Sequence, residues 1–102
     1  MRAMTSGNEA ILQALRSVND PELGMNIVDL GLVYRAELLP DRMEVAITLT
    51  SPACPLGELV LTEARAALER SFPDGPPIHV ELVWEPPWTP ERMSEAARLL
   101  LG

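Results

Sequence analysis

The sequence predicts a two-layer α/β sandwich of the α+β kind, in which helices cover one face of a three-stranded mixed sheet in the order α-β-β-α-β-α. Three stretches alternate apolar and mixed side chains with the period of two that is typical of half-buried strands: residues 31–39, 43–50 and 78–84. Three others space their apolar residues as an amphipathic helix does: residues 7–18, 55–71 and 91–101. Because each strand has one apolar face, we expect the helices on one side of the sheet.

The composition favours one small acidic domain, spanning residues 1–102. A hydrophobic fraction of 47% is sufficient for one core, and the net charge of −7 argues against nucleic acid or an acidic membrane surface as a partner. No apolar run reaches membrane-spanning length, and the first residues lack the apolar core of a signal peptide. The single cysteine cannot form an internal disulfide, so we expect a cytoplasmic protein.

The first helix is predicted over residues 7–18. Ser6 and Glu9 have the spacing of a capping box, which would begin the helix. Pro21 would prevent the helix from continuing, because the residue before a proline is driven towards an extended conformation.

The segment 19–31 is rich in turn-forming residues yet carries five large apolar side chains. A fully solvated loop would not contain so much apolar surface, so we expect this one to fold back onto the core. Its acids are Asp20, Glu22 and Asp29. Asp20 and Asp29 are candidates for a functional site, and the alternative is that they only bond N–H groups in local turns.

Residues 31–39 and 43–50, joined by the short turn 40–42, are predicted to form an antiparallel hairpin. The crossover through helix 55–71 should make strand 78–84 parallel to strand 43–50.

The carboxyl-terminal part begins with two tryptophans in a proline-rich stretch. Trp84 is in phase with the apolar residues of its strand, so we expect it mostly buried, whereas Trp88 could cap the end of the sheet or remain exposed for a partner. Thr89 is the expected cap of the last helix, 91–101. Its expected inner face comprises Met93, Ala96, Ala97 and Leu100.

The only cysteine, Cys54, lies where a strand pattern gives way to a helical pattern. Pro55 suits the first helical position, which makes Cys54 the N-cap, where the helix dipole would favour a thiolate. Glu58 and Glu63 oppose this, because nearby negative charge disfavours a thiolate. Cys54 is therefore a candidate reactive or metal-binding thiol, and the alternative is a small buried hydrophobic residue.

The predicted topology collects the candidate site residues at one edge of the sheet, which we call the rim. This edge is where strands 43–50 and 78–84 end and where strand 31–39 begins. The residues expected there are Asp20, Glu22, Asp29, Thr50, Cys54, Trp84 and Trp88. His79 begins its strand at the opposite end, so we expect it to be a surface residue and not a partner of Cys54.

Four segments of the chain resemble, in order, the hallmark segments of the SufT/PaaD-like family, which is linked to iron–sulfur cluster assembly. They are Asp20-Pro-Glu22, Ile27-Val-Asp29-Leu-Gly31-Leu-Val33, Thr50-Ser-Pro-Ala-Cys54-Pro55 and Trp84-Glu-Pro-Pro-Trp88. The resemblance implies the small α/β fold of iron–sulfur assembly domains, with Cys54 as the functional cysteine and Asp20 as the acid of the Asp-Pro-Glu motif. PaaD itself carries a cysteine-rich extension that this sequence lacks after Gly102, so the stand-alone SufT-like branch is the better match.

The resemblance implies a non-enzymatic factor that helps to deliver or mature iron–sulfur clusters on client proteins. Cys54 would be a ligand or transfer point for iron or a transient cluster, because soft thiolates suit iron–sulfur chemistry. Such a cluster normally needs four cysteine ligands and the chain supplies one, so the cluster would be shared with a scaffold or client protein, or across a homodimer.

Two alternatives remain open from the sequence. The first is a docking module in which the rim, with Trp88, binds an iron–sulfur client or scaffold while Cys54 merely packs. The second is a thiol enzyme with Cys54 as nucleophile, which ranks lower because the only histidine, His79, is expected at the wrong end of the sheet.

Overall fold

The computed structural model describes residues 2–21, 23–50 and 57–101. Its helices are α1 (Arg2–Leu15), α2 (Gly57–Ser71) and α3 (Glu95–Leu101), and a 3₁₀ turn occupies Pro90–Arg92. Its strands are β1 (Val33–Leu38), β2 (Met43–Ile47) and β3 (Ile78–Leu82). The element order is the one expected, and the fold belongs to the α+β class.

The three strands form one mixed sheet in the order β1-β2-β3. β1 runs antiparallel to β2, with Leu38 opposite Met43 at the turn. β3 runs parallel to β2, with Val80 opposite Val45. The predicted hairpin and the predicted parallel crossover are both confirmed, because α2 connects two parallel neighbouring strands.

The core lies between the sheet and the first two helices. α1 packs against β1, α2 packs against β3, and the two helices contact each other. On the central strand, Met43, Val45 and Ile47 are at most 1% exposed, whereas Glu44, which points to the other face, is partly exposed. The helices therefore cover one face, as the alternating pattern predicted.

The first helix begins earlier than predicted, at Arg2, and ends earlier, at Leu15. The expected N-cap, Ser6, lies inside this helix, so the predicted capping position was wrong. The reason is that the preceding residues include good helix formers and no helix breaker. Val18 is only 2% exposed although it lies beyond the helix. Its N–H donates to the Leu15 carbonyl, and this tight turn directs the Val18 side chain towards the core.

The predicted carboxyl-terminal helix is divided in two, at the residues between the 3₁₀ turn and α3. Ser94 caps α3 by accepting a hydrogen bond from the Ala97 N–H at 3.1 Å, whereas Thr89 makes no side-chain capping bond, so the predicted cap was wrong. Of the predicted inner face only Ala97 is fully buried, while Ala96 is exposed and Leu100 is 75% exposed. Because Met93 is extended between the 3₁₀ turn and α3, the residues on its two sides do not share one continuous helical face.

Trp84 is 39% exposed, so its predicted burial was wrong. β3 ends at Leu82, and beyond this residue the chain no longer follows the alternation of the strand. β3 is also an edge strand, on which even Ile78 and Val80, in phase with the core, are only half-buried. Within the ranges described above, no helix has the length and apolar character needed to cross a membrane.

Candidate functional site

Asp20 is the more buried of the two rim acids that the structure describes, with an exposed fraction of 1%. Its carboxylate accepts a hydrogen bond from the Leu23 N–H at 3.0 Å, and its own N–H donates to the Met25 carbonyl at 2.8 Å. A bridge between Asn19 and Asn26 closes the base of this turn. Asp20 thus orders the start of the loop from inside, as an aspartate at an Asx-type turn does.

Asp29 is held by two side chains, one from its own loop and one from the end of the first helix. The Asn26 amide donates to Oδ2 at 2.9 Å, and Arg16 donates to Oδ1 at 2.9 Å. The Asn26 hydrogen bond, followed by the hydrogen bond and charge of Arg16, holds the pKa of Asp29 below its usual range although burial opposes this. The Asp29 carboxylate is therefore a fixed anion that clamps the loop to α1.

The loop does fold back onto the core, as its apolar content predicted. Ile27, Leu30 and Leu32 have exposed fractions of 0%. The Ile27 N–H donates to the Val18 carbonyl at 3.0 Å, and the Leu32 carbonyl accepts from the Thr48 N–H just after β2. These bonds place the end of the loop beside the carboxyl end of the central strand.

The segment 84–94, which we call the strap, is tied to this loop by two short hydrogen bonds. Trp88 donates its indole N–H to the Leu30 carbonyl at 2.7 Å, and the Ser94 N–H donates to the Asp29 carbonyl at 2.7 Å. Trp88 is partly buried against the core. Of the two alternatives for Trp88, the structure therefore has the one in which it caps the end of the sheet.

Gly31 lets the strap approach the loop backbone. Its φ is +76°, in the left-handed region that side chains disfavour. A Cβ at this position would overlap the Arg92 carbonyl oxygen and lie 2.6 Å from the Arg92 carbonyl carbon. Only glycine fits both constraints.

Tyr34 and Arg92 add a second tie between strap and sheet that the sequence did not reveal. The Tyr34 hydroxyl donates to the Pro86 carbonyl at 2.8 Å, and the Arg92 guanidinium lies 4.7 Å from the centroid of the Tyr34 ring. The β1–β2 register shifts between Val33 and Arg35, so Tyr34 is released from the regular alternation. A bulge of this kind leaves no mark in a hydrophobic pattern.

The remaining site residues are placed as follows. Thr50 is partly exposed and lies beyond the end of β2, at the rim. Glu22 and Cys54 lie outside the described residues, as does the predicted N-cap geometry of Cys54. His79 is in the amino-terminal half of β3, opposite Glu44, and 3.8 Å from Glu81. It is a surface residue at the end of the strand away from the rim, as expected.

A groove of about 600 Å³ lies on the helix-free face of the sheet, between the sheet and the strap. Its floor includes the cross-strand row Arg35, Ala46 and Glu81. Its walls include Tyr34, Pro86 and Arg92. In the part of the chain that the structure describes, no group of three or more His, Cys, Asp or Glu side chains is arranged to hold a metal ion.

The chain is similar to known proteins in both sequence and structure. Residues 8–81 match the model of a family described as iron–sulfur cluster assembly protein. The chain is 43% identical over 95 residues to the Fe-S protein maturation auxiliary factor YitW of Bacillus subtilis, covering 92% of each chain. It is 41% identical over 86 residues to the Fe-S protein maturation auxiliary factor SufT of Staphylococcus aureus, covering 83% of this chain and 97% of that protein.

Among solved structures, the fold matches the crystal structure of a domain of unknown function, DUF59, from Bacillus anthracis. The TM-score is 0.92 and the identity 34%, and the match covers 99% of this chain and 96% of the other. Sequence and fold therefore agree with the resemblance carried by the four motifs. The chain belongs to the SufT-like iron–sulfur cluster assembly protein family.

Proposed function

We propose that this protein is a non-enzymatic auxiliary factor that helps to deliver or mature iron–sulfur clusters on client proteins, with Cys54 as the ligand or transfer point. The rim would be the surface that meets the scaffold or client. The relatives named above are Fe-S protein maturation auxiliary factors, which supports the general role.

The observation that carries the proposal is the hydrogen-bonded frame at the carboxyl end of the central strand. Leu30 and Asp29 of the loop bind Trp88 and Ser94 of the strap through two hydrogen bonds of 2.7 Å. Thr50 follows β2 at this end of the sheet and is the last described residue before the segment that contains Cys54. Buried hydrogen bonds and a close-packed glycine support a surface of fixed shape, which suits repeated docking with a partner.

The chemistry of the cargo supports a shared rather than a resident cluster. Iron–sulfur clusters are held by about four cysteine thiolates, and this chain contains one cysteine. Asp29, the partly exposed acid of the described rim, is already bound by Arg16 and Asn26. Iron or a cluster would therefore be cargo, held by Cys54 together with ligands from a scaffold or client.

Two other functions are separated from this one by specific residues. A docking module without metal chemistry would use the same frame and leave Cys54 as a packing residue. A thiol enzyme would need a base near Cys54. His79 lies in the amino-terminal half of β3, at the end of the strand away from the rim, and therefore does not favour an enzyme. We rank the enzyme last.

The test is anaerobic purification of the tagged full chain from its host, followed by identification of bound proteins and analysis of iron and acid-labile sulfide. We expect iron to accompany the complex with a partner and to be absent from the isolated chain. Cys54→Ser should lose the iron and keep the partner, because serine keeps the approximate size of cysteine but is not a soft thiolate ligand.

Trp88→Phe is the matched variant for docking, since it keeps an aromatic ring and loses the bond to Leu30. It should weaken partner recovery while leaving Cys54 in place. Recovery of partners with no iron from the wild-type complex would overturn the role of Cys54 and favour the docking module. Absence of any iron–sulfur scaffold or client among the bound proteins would overturn the proposed function itself.

A further inference from the structure

β3 presents one edge of its backbone to solvent. The Val83 N–H donates to Ile47, and the Pro77 carbonyl accepts from Met43, so the odd-numbered residues of this strand face β2. Because strand residues alternate, the N–H and C=O groups of Ile78, Val80 and Leu82 point away from the sheet.

This edge is open along most of its length. Arg65 of α2 donates to the Ile78 carbonyl at 2.8 Å. Across residues 2–21, 23–50 and 57–101, the outward N–H and C=O groups of Val80 and Leu82 have no hydrogen-bond partner. Their side chains are half-buried on the helix-covered face. An edge of this kind is a template for another strand.

The opposite edge differs. There, the side chain of Asn8 on α1 accepts a hydrogen bond from the Leu38 N–H at 3.0 Å, and α1 packs along β1. Each outer strand therefore receives one side-chain hydrogen bond, but a bulge between Val33 and Arg35 interrupts the edge of β1, whereas the register of β3 is regular along its whole length.

We propose that two copies of this chain pair through their β3 edges, antiparallel and centred on Val80, to form a continuous six-stranded sheet. The register follows from the strand itself, since Val80 is the midpoint of Ile78–Leu82. In this register Ile78 of one copy lies opposite Leu82 of the other, and the two Val80 residues face each other, so apolar side chains meet on the helix-covered face. Prolines 76 and 77 limit the ladder at its amino-terminal end.

The polar side chains on the other face favour a second copy as the occupant, because an imidazole N–H can donate a hydrogen bond to a carboxylate. In a ladder centred on Val80, His79 of each copy lies opposite Glu81 of the other, which gives two complementary pairs. Both side chains are available, with exposed fractions of 64% and 53%. A ladder shifted to centre on position 81 would instead oppose Glu81 with Glu81, which is unfavourable.

The antiparallel arrangement has a consequence for the rim. Each rim lies at the carboxyl ends of β2 and β3, so pairing about a two-fold axis directs the two rims to opposite ends of the six-stranded sheet. The two copies would therefore not share one cluster. Each would present its own rim, marked by Thr50 and Trp88, to a separate partner.

Analytical ultracentrifugation of the full chain over a wide concentration range tests the proposal. We expect the mass to rise with concentration from 11.2 kDa to twice that value. His79→Glu places like charges opposite each other and should weaken dimerisation, on the order of 2- to 30-fold for two cross-strand pairs. Glu81→Arg should weaken it as well, because the carboxylate opposite His79 is lost.

The double variant H79E/E81R places opposite charges across from each other in the ladder and should recover the wild-type dissociation constant or a tighter one. Glu9→Arg on α1, an exposed glutamate away from the β3 edge, is the control for net charge and should not lower the affinity through this interface. Circular dichroism melts confirm that each variant is folded.

A wild-type chain that stays at 11.2 kDa at millimolar concentration overturns the proposal, as does a dimer that both single charge changes leave unaltered. The maturation role does not depend on this result.

Discussion

Gly31 is the residue at which the backbone leaves least room for substitution. Gly31→Ala must accept the left-handed φ of +76° and also displace the Arg92 backbone. We expect a loss of about 1–2 kcal/mol in the free energy of unfolding from the backbone conformation, and at least about 1 kcal/mol more from the overlap. Urea denaturation measures both.

Gly24 supplies the matched control, because its φ is +73° and a Cβ there would meet no atom within 4 Å. Gly24→Ala should show the conformational cost alone. If the two variants lose equal stability, the contact between the loop and the strap at Arg92 contributes nothing to the fold.

Asp29 gives the protein a specific dependence on acid. Its pKa is lowered in the folded state, chiefly by Asn26 and then by Arg16, so its contribution is complete above the unfolded pKa of about 3.9. That contribution is lost as the pH falls through the lower folded pKa. Asp29→Asn should therefore be less stable than wild type at neutral pH, and the difference should shrink below about pH 4. Chemical denaturation from pH 7 to pH 2 follows it, and a constant difference would contradict this role.

At the scale of elements, the strap is held by Trp88 and not by Trp84. Trp88→Phe leaves the Leu30 carbonyl, on a residue that is 0% exposed, without its indole donor. We expect a loss of about 1–3 kcal/mol and faster hydrogen exchange at the Ser94 amide, which bonds the adjacent Asp29 carbonyl.

Trp84→Phe is the matched control, since Trp84 is 39% exposed and its indole has no hydrogen-bond partner in the described part of the chain. Its effect should stay within about 0.5 kcal/mol. Equal losses from the two substitutions would show that the strap is anchored by general packing and not by the Trp88 bond.

The strands and the second helix could be predicted closely because burial imposes a period on their side chains. Residues 43–50 and 78–84 contain β2 and β3, each with a few extra residues at its carboxyl end. The errors fall where tertiary contacts override the pattern. In the sequence Trp84 continues the apolar alternation of β3, but in the structure it lies beyond the last residue that is hydrogen-bonded to β2. Tyr34 lies at a bulge.

The part of the candidate site that the structure describes was predictable to the same extent. Parallel and antiparallel pairing fixed which ends of the strands meet, so the sequence could bring residues 20–31 and Trp88 to one edge. The sequence did not indicate that Arg16 would form an ion pair with Asp29, because the two residues belong to different elements. Nor could it identify Ser94 or Arg92, whose roles depend on how the strap crosses the loop.

For the whole molecule, we expect folding to be independent of metal. Among the described residues, fourteen buried apolar side chains form one core cluster between the sheet and the helices, and we expect this packing to suffice without a metal ion. Adding a chelator to the purified chain should leave the thermal transition unchanged, in contrast to small zinc domains that unfold without metal. Loss of the cooperative transition would indicate a structural metal.

We propose that the chain works in iron–sulfur maturation through Cys54. The most direct measurement is the cluster content and activity of client iron–sulfur enzymes in a strain whose only copy carries Cys54→Ser, with the melting curve of the variant recorded in parallel. We expect a sharp fall in client activity and an almost unchanged melting temperature, because serine keeps the approximate size of cysteine while removing the thiol. A variant that melts normally and supports full client activity would remove Cys54 from the mechanism.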